Sequence, residues 1–399
     1  MATIRKRGNS YQIRVSCGYD AKGNHVEQAI TWKPDEKMTE KQIEKELNRQ
    51  AVMFEEACLK GQIVASAKFE DFAKQWFKEY AEIKLKPKTI EGYHWMEKRI
   101  YKAIGHLRLD KVTSRHIQKF ILEMGEEKRC DGRNKRNGKL SAKTVKLHIS
   151  MISTIFDYAV KMQLLQSNPC RAITLPKPDG EPRTVYTLEE AQQLLNLFQK
   201  ESEENYKYVT FYTLAMYSGF RRGELLGLEW KDVDFTDNII EINRTSLYSK
   251  SQGGTYTETP KTETSYRSLK LPVEVINILL NWKSLQDKQR TKVGDKWIET
   301  DRIFTKWNGL PLDGTAPGYF FKRFCKRTGI RYVSNHSFRH FNASVLISNG
   351  VDVKTVQSCL GHSTPMTTLS IYAHSFRSSQ ARAMDTVADT INFKKAVNE

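Results

Sequence analysis

The sequence predicts a multidomain, mainly α chain: a small N-terminal β-meander with one helix, then a helical bundle, then a mostly α C-terminal domain with a small antiparallel sheet. Three observations predict it. Apolar residues alternate with period two near the N-terminus, in SYQIRVS (10–16) and HVEQAITW (25–32), as half-buried strands require. From Phe69 the apolar residues recur at helical intervals instead. The length of 399 residues suggests two or three domains, at roughly 100 to 200 residues each.

The two alternating stretches flank DAKGN (20–24), a turn sequence. The next segment, 39–61, opens on a Thr cap, spaces Ile43, Leu47, Ala51 and Phe54 along one helical face, and ends in Gly61. Residues 1–66 are therefore expected to fold as a small sheet covered by one helix. Phe72, Trp76, Phe77 and Tyr80 mark the first helix of the bundle. A second runs over 87–105, with Pro87 near its start and Gly105 at its end. Segments 113–125 and 141–165 supply two more, with the polar loop DGRNKRNGK (131–139) between them. The bundle is bounded at 67–169. Residues 170–184, rich in Pro and charge, read as a linker, and 185–399 form the last domain. There, helices are expected at 187–198 and 206–219, strands at 239–248 and 266–272, and mainly helix beyond.

Lys and Arg number 64 against 46 Asp and Glu, a net charge of +18. The excess is concentrated early: residues 67–169 carry 22 basic and 12 acidic residues, net +10, interleaved with aromatics such as Tyr93 and Trp95. A folded surface of that kind suits a polyanion. The six cysteines show no CxxC spacing and are read as reduced thiols of a cytoplasmic protein. No signal peptide and no apolar run of about 18 residues is found, so no membrane partner is expected.

Three stretches carry chemistry. On a helix, HSFRHFNASV (336–345) places His336, Arg339 and His340 in one sector and Phe338, Phe341 and Val345 opposite. The aromatic face is expected to be buried and the cationic face presented. An Arg between two His disfavours a metal site, because a fixed cation then stands beside the ion; no metal is expected. Guanidinium grips two phosphate oxygens in a planar fork, and imidazole donates to a third or moves a proton. In SGFRRGELLGLEW (218–230), an arginine lies at a corner between helices, with Glu224 placed to orient it; the residues alone leave Arg221 and Arg222 as alternatives. In TPKTETSYRSLKLP (259–272), Lys261 lies between two expected strands, where a mobile ammonium can protonate a leaving oxygen.

The ordered set SGFRRGEL, TPKT, HSFRH, LGH (360–362) and TTLSIYAH (367–374) resembles the tyrosine recombinase (phage-type integrase) family. The resemblance covers the last domain closely and extends to the bundle, which looks like the family's core-binding domain. It also reaches the N-terminal meander, which looks like the arm-binding domain of integrases from phages and conjugative transposons. It implies that Arg221 and Arg339 bind the scissile phosphate and that Lys261 is the general acid. It also implies that His336 transfers a proton and contacts the phosphate, that His362 donates a further hydrogen bond to it, and that Tyr372 is the nucleophile. The chemistry is consistent: a phenol with an ordinary pKa near 10 needs a strong positive field to attack, and these cations supply one. No cofactor is expected, since neither an acidic magnesium cluster nor a GxxxxGK[ST] loop is present. The roles of His340 and His374 stay open.

The resemblance further implies a site-specific DNA recombinase that integrates and excises a mobile element through a 3′-phosphotyrosyl intermediate. Its partners would be double-stranded DNA attachment sites, three further copies of itself in a homotetramer, and a small excision factor. The alternatives are a type IB topoisomerase-like nicking-closing enzyme and a non-catalytic DNA-binding regulator of the same fold. Candidate DNA contacts are Arg5, Arg7 and Arg14 in the meander and Lys88, Thr89, Lys143 and Lys146 in the bundle. Met384, Val387, Ala388 and Ile391 form an apolar stripe beyond the tyrosine.

Overall fold

The computed structural model describes residues 2–19, 25–35, 38–59, 67–126, 140–177, 185–249, 251–259 and 266–361. The chain divides into two compact units, 1–181 and 182–399.

The first unit opens with the antiparallel sheet β1 (Thr3–Arg7), β2 (Ser10–Tyr19) and β3 (His25–Trp32), paired in that order. Its register sets Arg5 opposite Gln12 and Thr3 opposite Arg14. Arg5, Arg7 and Arg14 therefore share one face of the pleat. Ile13 and Val15 point the other way and are buried with Leu47, Ala51 and Phe54 of α1 (Glu40–Leu59), so the expected sheet-plus-helix core is present. At the start of α1, the Gln42 side chain accepts from the Thr39 backbone N–H at 2.9 Å, satisfying a donor the helix leaves open.

A second core of the same unit is wholly helical. It is built from α2 (Phe69–Trp76), continued through a π turn (Phe77–Ala81) into α3 (Glu82–Lys84), with α4 (Pro87–Ile100), α5 (Ser114–Glu126) and α6 (Ala142–Lys161). Phe69, Trp76, Ile100, Ile117, Ile152 and Phe156 are inaccessible to solvent. The Ser141 side chain caps α6, accepting from the Thr144 N–H at 3.2 Å. Lys88, Thr89, Lys143 and Lys146 are exposed. The loop expected at 131–139 lies outside the described residues.

The second unit is organised around α8 (Tyr206–Ser218), which is buried on all sides from Val209 to Met216, as befits a central helix. Before it lies α7 (Leu188–Phe198), closed by a Thr187–Glu190 capping box. After it come α9 (Arg222–Gly227) and the short strands β4 (Val233–Asp234), β5 (Ile239–Ile242), β6 (Thr245–Ser249), β7 (Gly254–Glu258) and β8 (Arg267–Lys270). The long α10 (Val273–Val293), α11 (Ala316–Thr328), α12 (Asn335–Ser348) and α13 (Val353–Leu360) complete it.

The strand expected over 239–248 is two strands. β5 pairs with β4 and β8, whereas β6 pairs with β7 in a separate hairpin. The break falls at Asn243 and Arg244, where Arg244 is drawn into ion pairs with Asp232 and Glu229. Arg302 joins this network at Glu229 and donates to the Gly227 carbonyl and the Thr257 hydroxyl, tying the hairpin to α9. Among the described residues no helix is long and apolar enough to cross a membrane.

Gly227 lets α9 end against β6: a Cβ there would stand 2.9 Å from the Arg244 carbonyl oxygen and 3.2 Å from the Ser246 nitrogen. Both neighbours are backbone and yield little. Gly227→Ala should lower stability by about 1–3 kcal/mol, the usual cost of overpacking, seen as a fall in Tm. An unchanged Tm would mean that α9 and β6 separate without cost.

Candidate functional site

Helix α8 ends at Ser218 because Gly219 adopts φ +62°, a left-handed geometry that side-chained residues resist. The close approach of α13 adds a second reason, since a Cβ on Gly219 would come within 2.5 Å of Leu360 Cδ2. The carbonyls at this end are collected by α12. Asn342 donates to Met216 and Tyr217 at 3.1 and 2.8 Å, and Arg339 donates to Gly219 at 2.8 Å. The chain then turns through buried Phe220 to Arg221, the residue before α9.

Glu224 fixes Arg221 twice. One carboxylate oxygen accepts from the Arg221 backbone N–H at 2.8 Å, and the other accepts from its guanidinium at 2.7 Å. The remaining Nη of Arg221 donates to the Gly361 carbonyl at 2.6 Å. Arg339 donates to the Leu360 carbonyl, and Arg267 donates through Nε to the Cys359 carbonyl at 2.8 Å. Three guanidiniums thus meet three successive carbonyls at the C-terminal end of α13, one residue short of His362. A helix end with unsatisfied carbonyls and partial negative charge is a favourable place for cations.

This geometry separates the two adjacent arginines. Arg221 is half-buried and bonded at the junction, whereas Arg222 is exposed and lines a cavity of about 450 Å³ with Phe220, Tyr332 and His336. The expectation for α12 is corrected. The helix does not present its whole cationic face: Arg339 and His340 are each only 2% exposed, because that face packs on the ends of α8 and α13. His336 alone of the three is exposed, its ring edge-on to His340 with centroids 4.5 Å apart. Lys261, His362 and Tyr372, with His374 and the 384–391 stripe, lie outside the described residues. Arg267 joins Arg221 and Glu224 from β8 with no local signal in the sequence, since its carboxylate partner Glu224 is 43 positions away. Among the described residues no group of three or more His, Cys, Asp or Glu is placed to hold a metal ion.

Glu224 is 2% exposed. Burial pushes its carboxyl upward, but Arg267 and then Arg221 outweigh this and hold it below its ordinary value of 4.5. A carboxylate depressed in the folded state contributes stability above its unfolded pKa, and that contribution is lost as pH falls through the folded pKa. Glu224→Gln should therefore destabilise by on the order of 3 kcal/mol near neutral pH. The difference from wild type should shrink below about pH 4. Equal losses at neutral and acid pH in thermal unfolding would show that the charge of Glu224 is not what counts.

The chain is similar to proteins of known family. The family model described as the phage integrase family matches residues 184–379, and that for the phage integrase N-terminal SAM-like domain matches residues 68–125. A tyrosine recombinase XerC-like protein of Caldanaerobacter subterraneus subsp. tengcongensis is 26% identical, across 95% of this chain and 96% of that protein. The ICEBs1 integrase of Bacillus subtilis is 25% identical, across 98% and 100%. In fold, the chain is similar to the Tn1549 transposon integrase solved in complex with a circular intermediate DNA. The TM-score is 0.65 at 21% identity, covering 80% of this chain and 100% of that one. With the ordered motifs, the gathered arginines and both family matches in hand, the chain belongs to the phage integrase family of tyrosine recombinases, enzymes of site-specific DNA strand transfer.

Proposed function

We propose that this recombinase integrates and excises a mobile element, cleaving duplex DNA with Tyr372 and storing the broken phosphodiester as a 3′-phosphotyrosyl bond. The observation that carries the assignment of roles is the meeting of Arg221 and Arg339 at the end of α13, immediately before His362. Two guanidiniums, one from the corner between α8 and α9 and one from α12, fixed by Glu224 and by helix-end carbonyls, are arranged before substrate arrives. Such preorganised charge lowers the barrier to a pentacoordinate phosphorus.

In this mechanism Arg221 and Arg339 neutralise the non-bridging oxygens, while His336 and His362 donate to them. The Tyr372 oxygen attacks phosphorus, its proton passing to His336. The bond to the 5′ oxygen breaks, and that oxygen takes a proton from Lys261. The 5′-hydroxyl of a partner duplex then attacks the phosphotyrosyl bond, restoring the phosphodiester and freeing Tyr372. Neither metal nor nucleotide is required.

The bundle, residues 67–169, would bind the core site, with Lys88, Thr89, Lys143 and Lys146 against the DNA. Residues 1–66 would read separate arm sites with the face bearing Arg5, Arg7 and Arg14. Arg14 already lies 3.3 Å from Glu27, so Arg5 and Arg7 carry more of that face's free charge. Assembly is proposed as a tetramer on paired duplexes in the cytoplasm, with a small excision factor setting direction.

Tyr372→Phe should bind and pair DNA yet form no covalent adduct on a nicked suicide duplex. Wild type should form the adduct and exchange partners in excess chelator without ATP. An adduct in the variant moves the nucleophile elsewhere, and chelator-sensitive cleavage revives a metal. Removal of residues 1–66 should spare cleavage of a core duplex but weaken binding of full attachment sites, with a shallower salt dependence because fewer phosphates are contacted. An unchanged salt slope would make this segment a structural cap.

A further inference from the structure

Arg267 opens β8, just after the connection that carries Lys261, and its side chain is 7% exposed. Its Nη2 donates to Glu224 Oε2 at 2.8 Å, and its Nη1 reaches Oε1 at 3.4 Å. Its Nε donates to the Cys359 carbonyl at 2.8 Å. The guanidinium also lies 5.0 Å from the ring centroid of Phe220. Arg267 therefore touches the ring that precedes Arg221, the carboxylate that holds Arg221, and the helix whose last carbonyls receive Arg221 and Arg339.

We propose that Arg267 is a positioning residue for strand transfer. It fixes the guanidinium of Arg221 through Glu224 and the end of α13 through Cys359, without itself touching DNA. The inference rests on the reading of Arg221 as a phosphate ligand. A direct phosphate contact is disfavoured by the burial of Arg267 and by the engagement of its fork with Glu224. Geometry explains why arginine stands here. A planar fork serves two carboxylate oxygens while Nε serves a third acceptor, whereas an ammonium is a point donor that cannot hold all three in one plane.

The position also links two parts of the site. β8 is the strand into which the Lys261 connection runs, and α13 is the helix from which the His362 segment leaves. One side chain ties both to Glu224, so a displacement of β8 is transmitted to Arg221 and to the helix end.

The test uses full-length protein carrying Arg267→Lys, Arg267→Ala, Glu224→Gln or the Arg267→Lys/Glu224→Gln pair. Thermal unfolding, single-site DNA binding and single-turnover adduct formation are measured. The suicide duplex carries either a normal phosphate or a methylphosphonate at the scissile position. Arg267→Lys should fold and bind DNA within about twofold of wild type, yet form adduct about 10²-fold more slowly, the scale of loss from a misplacement of about 1 Å. The methylphosphonate lacks the negative charge that Arg221 neutralises, so on it the deficit should narrow to below about tenfold. The paired variant should lose less than the product of the two single losses, because both act through one contact.

An equal deficit on the two substrates, multiplicative losses, or slow cleavage explained by unfolded protein in both Arg267 variants would overturn the inference. So would normal cleavage by Arg267→Lys. Failure of the wild type to form any adduct would overturn the reading of Arg221 along with it, whereas normal wild-type cleavage beside an unaffected variant overturns this inference alone.

Discussion

The end of α13 is the point on which the second unit depends. A helix terminus leaves carbonyl groups unmatched and carries roughly half a negative charge. Here the carbonyls of Cys359, Leu360 and Gly361 receive Arg267, Arg339 and Arg221. Those arginines arrive from β8, from α12 and from the corner between α8 and α9. Three cations so close would repel one another without the helix end and the buried Glu224 carboxylate between two of them. Their gathering also explains local features that look unrelated. Gly219 is needed because α13 packs against the end of α8, and Asn342 turns inward to collect the carbonyls left at that end.

The sequence was most informative where partners lie close along the chain. Glu224 is one helical turn from Arg221, so its role could be read directly. The sector shared by His336, Arg339 and His340 followed from periodicity. What periodicity cannot say is what covers a face, and so the burial of Arg339 and His340 against α8 and α13 is not legible in it. Arg267 was invisible for the same reason, since its partners come from two other elements. The break between β5 and β6 is a long-range effect too, imposed on Arg244 by Asp232 and Glu229. The β6–β7 hairpin differs in having a local signal, the glycine pair of KSQGGT (250–255), of the sort that marks a tight turn.

In the first unit two small cores serve one purpose, each turning cationic side chains outward from an apolar interior. Ile13 and Val15 bury one face of the meander, leaving Arg5, Arg7 and Arg14 on the other. In the bundle, Val145 and Ile149 of α6 face inward while Lys143 and Lys146 stay exposed. The basic surface is therefore fixed by the same alternation that builds the core. A substitution inside shifts charge outside.

The anchoring of the β6–β7 hairpin bears on the reach of Lys261. Arg302 holds Thr257 on one side of the connection, and Arg267 is held by Glu224 on the other. An extended chain covers at most about 3.6 Å per residue, so the backbone of Lys261 stays within roughly 14 Å of Thr257 whatever path it takes. In the proposed mechanism, so short a tether would raise the local concentration of the ammonium near these anchors. It works like a leash with both ends nailed down, which limits how far the proposed proton donor can stray. Lengthening the leash would dilute the proposed acid without altering any residue of the site.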